Sequence, residues 1–223
     1  MPLSPQEARV LACLVEKAAT VPDAYPLTLN ALRLACNQSS NRHPVVAYDD
    51  RTVEQALMAL KSIGLVRFVH PSHGGRTIRY RHVADERWRL ERNELAVLAM
   101  LALRGPQTVA ELRARTERLV DEDAGGPSID DALDTLAART PEPFATRLER
   151  HAGEREARWA HLLGGEIDEA AMAPPDGTGS VARPATSATA DPATLTAVAA
   201  EVAHLRRRLD RLEELLGVDP IEG

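Results

Sequence analysis

The sequence predicts a mainly α protein with small β-hairpins: two tandem winged-helix domains, a disordered linker and a C-terminal coiled-coil helix. Three observations lead to this prediction. Apolar residues recur every three to four positions in several segments, which is typical of amphipathic helices. Four short segments recur in the same order in two halves of the chain, and a heptad pattern follows near its end. Aromatic residues make up only 3% of the chain, and a core of Leu, Val and Ala favours helix over a large sheet.

A winged-helix domain is predicted for residues 1–87. Ser4 and Glu7 have the spacing of a capping box, which starts the first helix. The predicted helices cover residues 5–18, 28–37 and 49–63, and the predicted strands cover 65–70 and 77–83. Three helices followed by a hairpin is the element order of a winged helix, in which the hairpin is the wing.

A second winged-helix domain is predicted for residues 88–164, because these residues repeat the plan of the first. The matched segments begin at Leu11 and Leu98, Thr28 and Thr108, Val53 and Ile129, and Gly75 and Gly153. Four matches in the same order indicate an internal duplication in which only the loop lengths changed.

The C-terminal part is predicted to be a linker followed by a dimerising helix. Residues 165–191 are rich in Pro, Gly, Ser, Thr and Ala, and they cannot bury enough apolar surface to become ordered. Residues 192–217 carry apolar side chains at spacings that alternate between three and four, which predicts a coiled-coil homodimer, and the charges flanking the seam are consistent with a parallel pair. An amphipathic helix docked on its own chain is the alternative. The seam consists of Leu195, Val198, Val202, Leu205, Leu209, Leu212 and Leu216.

Several stretches resemble the YceH-like family of uncharacterised bacterial proteins. They are residues 3–10, 25–27, 35–38, 41–42, 44–45, 103–108, 111–113, 155–156 and 161–162. The likeness covers about residues 3–165 and leaves the tail outside. It implies two winged-helix domains, and it brings no established activity, ligand or catalytic residue.

Composition excludes several classes of protein. Of 223 residues, 44% are hydrophobic and 27% are charged, which is the balance of a globular protein. The longest purely apolar run, residues 95–103, is far shorter than the roughly 20 residues of a membrane span. The N-terminus lacks the features of a secretory signal, and two cysteines make no disulfide framework. We therefore expect a cytoplasmic protein without membrane contact.

The common catalytic and metal-binding motifs are absent from the sequence. It contains no phosphate-binding glycine loop, no hydrolase signature and no C-x-x-C pair. We therefore expect no enzyme activity, no cofactor and no metal site. Cys13 and Cys36 are expected to be buried thiols, although a reactive Cys36 is a weaker alternative.

Two pairs of ring side chains could also bind a ligand. His70 and His73 lie in the turn of the first hairpin, but no third metal ligand accompanies them. Tyr80 and Trp159 occupy matching places on the two returning strands and could stack on a base. We expect a solvated turn for the histidines and core positions for the aromatic residues, since an aromatic residue on a small hairpin usually packs against its helices.

Basic residues of the first hairpin are the candidate nucleic-acid contacts. Arginines outnumber acidic residues between positions 67 and 92, and wings often lie along the DNA backbone, where guanidinium groups bind phosphate. A polar stretch at residues 35–44 could add contacts to DNA or, equally, satisfy the helix ends that it joins. The candidates are Arg67, Arg76, Arg79 and Arg81 in the hairpin, with Arg42 from the polar stretch.

Carboxylates crowd the third helix of the second domain, and phosphate would repel them. We therefore expect this helix to stay out of DNA, and Asp130, Asp131 and Asp134 become candidates for docking a basic protein. Residues 1–163 are neutral, and the tail carries the whole net charge of −6. Two functions remain open: a non-enzymatic, DNA-associated regulatory protein that contacts the backbone through its first wing, or a protein–protein interaction adaptor that binds no DNA.

Overall fold

The computed structural model describes residues 2–71, 77–120, 127–150 and 154–165 of the chain. In these ranges the protein is mainly helical with small antiparallel sheets, as predicted. The predicted linker beyond Gly165, the predicted coiled-coil helix with all its seam residues, Arg76 and His73 lie outside the described residues.

The described elements follow the predicted order closely. The helices are α1 (Pro5–Thr20), α2 (Leu29–Cys36), α3 (Asp50–Ser62), α4 (Ala84–Trp88), α5 (Arg92–Arg104), α6 (Val109–Thr116) and α7 (Ile129–Ala138). The strands are β1 (Leu27–Thr28), β2 (Val66–Val69), β3 (Arg79–His82), β4 (Ala145–Arg147) and β5 (Trp159–His161). A short 3-10 turn covers Pro22–Ala24.

Polar side chains start the helices by accepting from exposed backbone N–H groups. The Ser4 hydroxyl accepts from the Glu7 N–H, and the Glu7 carboxylate accepts from the Ser4 N–H, which completes the predicted capping box. Thr28 caps α2, and Thr108 caps α6 at the equivalent place in the second half. The matched segments therefore begin their helices for the same reason, because each has a threonine hydroxyl that caps the helix start.

The two halves also share their strand order. In the first half β3 lies between β1 and β2, and both pairings are antiparallel. In the second half β5 pairs with β4, and a bridge from Gln107 to Trp159 occupies the place of β1. Each half thus runs helix, short extended segment, two helices and a two-stranded hairpin.

A single hydrophobic core runs through both halves. Helix α1 packs against α5, and Val10, Leu14, Val97 and Leu101 are completely buried. The buried side chains of residues 3–163 form one continuous cluster. The two halves thus repeat their order of elements and share one core.

Several predicted core positions are confirmed. Cys13 and Cys36 are fully buried, and Tyr80 and Trp159 are 8% and 9% exposed. Phe68 packs edge-to-face on Tyr80 with ring centroids 4.9 Å apart. Neither Tyr80 nor Trp159 therefore presents a ring face for stacking on a base. Of the described helices, none has both the length and the apolar character that crossing a membrane requires.

Candidate nucleic-acid interface

The hairpin of β2 and β3 presents three arginines on its outer face. Side chains alternate along these strands, so Val66 and Tyr80 are buried while Arg67 and Arg79 are exposed. Arg67 lies directly opposite Arg81, and Arg79 lies opposite Val69. The register therefore collects three of the four predicted hairpin arginines on one surface.

One carboxylate partly neutralises this surface. Glu86 of α4 accepts from Arg67 at 3.0 Å and from Arg81 at 3.1 Å. All three side chains are more than a third exposed, and ion pairs in such surroundings contribute only about 0–1 kcal/mol. The two guanidinium groups therefore remain able to exchange Glu86 for a phosphate oxygen.

Arg79 is held differently, by backbone carbonyl groups. Its Nη1 donates to the Pro26 oxygen at 2.8 Å and to the Ala24 oxygen at 3.4 Å. These bonds orient the side chain without neutralising its charge. Among the described arginines of the hairpin, Arg79 is thus the one whose position is fixed without an ion pair.

Arg42 is buried inside the protein, whereas the sequence predicted that it contacts DNA at the surface. Its side chain is fully buried, and it donates to the Glu16 carboxylate at 3.1 and 2.6 Å and to the Gln38 side chain at 2.8 Å. Burial alone would raise the pKa of Glu16, but the hydrogen bonds and charge of Arg42 hold it below its ordinary value. A guanidinium group engaged in this way has no donor to offer a phosphate, so Arg42 is left out of the interface.

Other side chains at the polar stretch, residues 35–44, also bind the protein itself, although Ser39, Ser40, Asn41 and His43 are exposed. The Asn37 amide donates to the Tyr48 oxygen and accepts from the Tyr48 N–H, both at 2.8 Å. Arg9, itself 4% exposed, donates to the Cys36 and Pro44 oxygens. Of the two interpretations left open by the sequence, the structure supports the structural one: these side chains fix the connection from α2 to α3.

The two thiols lie beside this polar cluster. The Cys36 thiol is hydrogen-bonded to that of Cys13, and this bond together with burial raises the Cys36 pKa far above its ordinary value. A thiol that stays protonated is a poor nucleophile. The geometry therefore favours the predicted buried thiol over a reactive Cys36.

The acidic residues of α7 are largely engaged within the protein. Asp130 forms an ion pair with Arg113. Asp131 accepts from the Ser128 hydroxyl at 2.7 Å and completes the capping box of α7. Asp134 is exposed and takes part in no ion pair among the described residues. Because the side chains of Asp130 and Arg113 are 50% and 62% exposed, their ion pair is as weak as those of the hairpin. Asp130 and Asp134 therefore both stay available for docking, whereas Asp131 serves the helix cap.

The second hairpin carries arginines that the sequence analysis did not single out. Arg147, Arg150 and Arg155 are exposed and line a cleft of about 770 Å³ beside α7, together with Asp134. Basic and acidic groups are therefore more mixed in the second half than its acidic helix suggested. The match between the segments at Gly75 and Gly153 was the signal that could have pointed to these residues.

Of the two candidate histidines, His70 is described by the structure and His73 is not. His70 is exposed at the end of the first hairpin's outer strand. In the ranges that the structure covers, no three His, Cys, Asp or Glu side chains are grouped closely enough to hold a metal ion.

Comparison with known proteins places the chain in a family. A family model described as "Protein of unknown function, DUF480" matches residues 3–154. A UPF0502 protein of Geobacter sulfurreducens is 48% identical over 178 residues, which cover 78% of this chain and 80% of that protein. The chain belongs to the DUF480/UPF0502 family of uncharacterised bacterial proteins.

Two other UPF0502 proteins match nearly the whole chain. One from Leptothrix cholodnii is 44% identical over 223 residues, covering 97% of this chain and 96% of that protein. One from Mesorhizobium japonicum is 44% identical over 213 residues, covering 94% and 96%. The likeness to these UPF0502 proteins therefore extends beyond Gly165, farther than the sequence analysis expected.

Proposed function

We propose that this protein is a non-enzymatic, DNA-associated regulatory protein built from two winged helices, and that its first wing contacts the DNA backbone. The observation that carries the proposal is the row of three arginines on the outer face of the β2–β3 hairpin, in which Arg67 and Arg79 are exposed and Arg81 is half-buried. Guanidinium groups on an exposed hairpin suit sequence-independent contact with phosphate.

The order of elements supports the winged-helix assignment. Each half has its hairpin after its third helix, and in each half the returning strand pairs with an extended segment that precedes the second helix. That arrangement makes the hairpin a wing beside the third helix. A shared fold is a weak argument for a shared function, so the proposal depends on the charges of the hairpin.

The wing is a better candidate for DNA contact than α3. The exposed residues of α3 include Arg51, Glu54 and Met58, the last of which is 62% exposed. This surface mixes a cation, an anion and an apolar side chain, and it lacks a basic footprint. We therefore place the contact in the hairpin and assign no base-specific readout to α3.

Fluorescence anisotropy with a labelled DNA duplex, titrated at several salt concentrations, tests the proposal. Binding should weaken in the variant that combines Arg76→Ala with Arg79→Ala. The slope of log K against log salt should flatten by about one unit for each phosphate that the variant no longer binds. If the wild-type protein binds no duplex even at low salt, the proposal is wrong.

Glu86 provides a variant that should increase binding. Glu86→Gln removes the carboxylate that Arg67 and Arg81 share, so both guanidinium groups become free for phosphate and the salt slope should steepen. Glu117→Gln changes an exposed acid outside the wing by the same charge and serves as the matched control. Equal effects of the two substitutions would mean that net charge alone, and not the wing, determines binding.

An interaction adaptor without DNA binding is the competing proposal, and the exposed carboxylate of Asp134 favours it. A Lys-rich peptide should then bind the wild-type protein, and Asp134→Lys should abolish binding. Asp130 and Asp131 are poorer test positions because substituting them also breaks an ion pair or a helix cap. Binding of DNA together with no binding of the peptide would exclude the adaptor.

Pairing of two copies through residues 192–217 belongs to the same proposal. A dimer would present two first wings to one duplex, and linked binding raises overall affinity without any new contact. The heptad seam supports this part of the proposal.

A further inference from the structure

A groove of about 650 Å³ lies where the two repeats meet. One wall is the turn between α3 and β2, with Ile63 and Leu65, and the opposite wall is the turn between α7 and β4, with Pro141 and Phe144. These two turns occupy equivalent positions in the two repeats, so the groove lies at the boundary between the repeats.

The walls of the groove are mostly apolar and tied together by the backbone. Leu65 is 2% exposed, and the rings of Trp88 and Phe144 are 4.9 Å apart. The Leu3 N–H donates to the Leu163 oxygen at 2.6 Å, and the Leu162 N–H donates to the Phe144 oxygen at 2.8 Å. The groove is therefore preformed, and its volume falls in the range of about 300–1,000 Å³ that is typical of small-molecule sites.

Arg87 places a positive charge at this apolar surface. Its Nε donates to the Ile63 oxygen at 3.3 Å, which holds the side chain at the groove. Among the ion pairs of the described residues, none includes Arg87. Glu142 also lines the groove and takes part in an interaction of its own. The Nη atoms of Arg87 are therefore donors suited to an anionic ligand.

We propose that this groove binds a small amphipathic carboxylic acid. Its apolar body lies against Ile63, Trp88 and Phe144, and its carboxylate accepts from the Nη atoms of Arg87. A neutral ligand would leave the charge of Arg87 uncompensated, and a long polar ligand would leave the apolar walls unfilled. The proposal concerns a site outside the wing and holds whether or not the protein binds DNA.

The fluorescent probe 1-anilinonaphthalene-8-sulfonate, an aromatic anion that brightens in apolar sites, tests the groove in the full chain. Trp159→Phe leaves Trp88 as the chain's only tryptophan, so bound probe should quench Trp88 emission. Octanoate should displace the probe, and octanamide, which has the same chain and no charge, should displace it at least tenfold less well. The quenching of Trp88 reports that the probe is bound, and substitutions in the groove locate it.

Two substitutions distinguish the groove from non-specific binding. Arg87→Gln should weaken octanoate about tenfold, as expected when one charge-assisted hydrogen bond is removed, while Arg118→Gln, at an exposed position outside the groove, should change nothing. Ile63→Trp should fill the groove and abolish displacement while urea unfolding stays cooperative. Equal displacement by octanoate and octanamide would overturn the proposal, and so would equal octanoate binding by Arg87→Gln and wild type. Neither result would bear on the proposal that the first wing binds DNA.

Discussion

At the scale of single residues, the pair of Arg42 and Glu16 shows how a long-range contact changes the interpretation of a motif. A polar stretch in a loop suggests surface recognition, and the sequence contains no signal that its arginine meets a carboxylate on α1. The contact spans 26 positions along the chain. Local patterns predicted the buried positions of Cys13 and Tyr80 correctly, because burial follows from the alternation within one element.

Breaking this pair should destabilise the protein strongly. Glu16→Ala leaves the fully buried guanidinium group of Arg42 without its carboxylate, and removing one partner of a buried pair costs about 3–5 kcal/mol. Urea unfolding measures the change in the free energy of unfolding. Glu117→Ala, at an exposed site, should cost less than about 0.5 kcal/mol, and a similar cost for both variants would contradict the assignment of Arg42 to a structural role.

Two half-buried histidines make stability depend on pH. Burial lowers the pKa of His161 below 6.5, and burial also lowers that of His82, although Asp85 opposes the shift. As the pH falls through about 6.5, the unfolded chain takes up protons that the folded protein does not, so stability is full above this pH and decreases below it. Urea unfolding at several pH values between 7.5 and 5 measures the loss.

A variant isolates the contribution of His161. His161→Asn keeps an acceptor for the Leu163 N–H, which His161 Nδ1 now accepts at 3.3 Å, and removes the titrating ring. The loss of stability with falling pH should be smaller in this variant than in wild type. An unchanged loss would show that His161 does not titrate differently in the folded and unfolded states.

At the scale of elements, the caps and the hairpins were predictable, and α4 was not. Capping residues and strand alternation act within a few positions, so the sequence predicted α3 and the first hairpin to within one or two residues. Helix α4 covers only Ala84–Trp88, too short for an apolar period to repeat. The short extended segment around Gln107 escaped prediction because it is recognisable only by its bridge to Trp159.

The equivalent caps of the two halves provide a test of the repeat. Thr28→Ala and Thr108→Ala each remove the hydroxyl that accepts an N–H at a helix start, and each should cost about 1 kcal/mol. Replacement of either residue by Ser keeps the hydroxyl and should restore most of the loss. Urea unfolding of the four variants measures these differences, and a cost from only one of the two alanine variants would show that the repeats have diverged at this position.

At the scale of the whole molecule, the sequence revealed the repeat of elements. It did not lead to the prediction that the two halves share one core. The apolar run at residues 95–103 is too short for a membrane span. Its length alone does not predict where in the fold it lies. Nearly all of α5 is buried, and a helix that is apolar on every side belongs inside a core. That run was the available signal that the two halves pack on one another.

The proposed dimer can be tested on the full chain by light scattering. The particle mass should be twice the chain mass of 24.2 kDa, and removing residues 192–223 should halve it, because the heptad seam is removed. A variant with Leu205→Glu and Leu209→Glu should do the same without shortening the chain. A particle of one chain both before and after truncation would refute the dimer.

The packing of α1 on α5 also determines whether a fragment of this protein can fold on its own. A fragment that ended near residue 87, or one that began there, would expose to water the apolar side chains of α1 or α5 that the whole protein buries. Neither fragment would be a self-sufficient building block, in spite of the repeated plan. The hairpins and connections of the two halves can differ, but each half depends on the other for its folding.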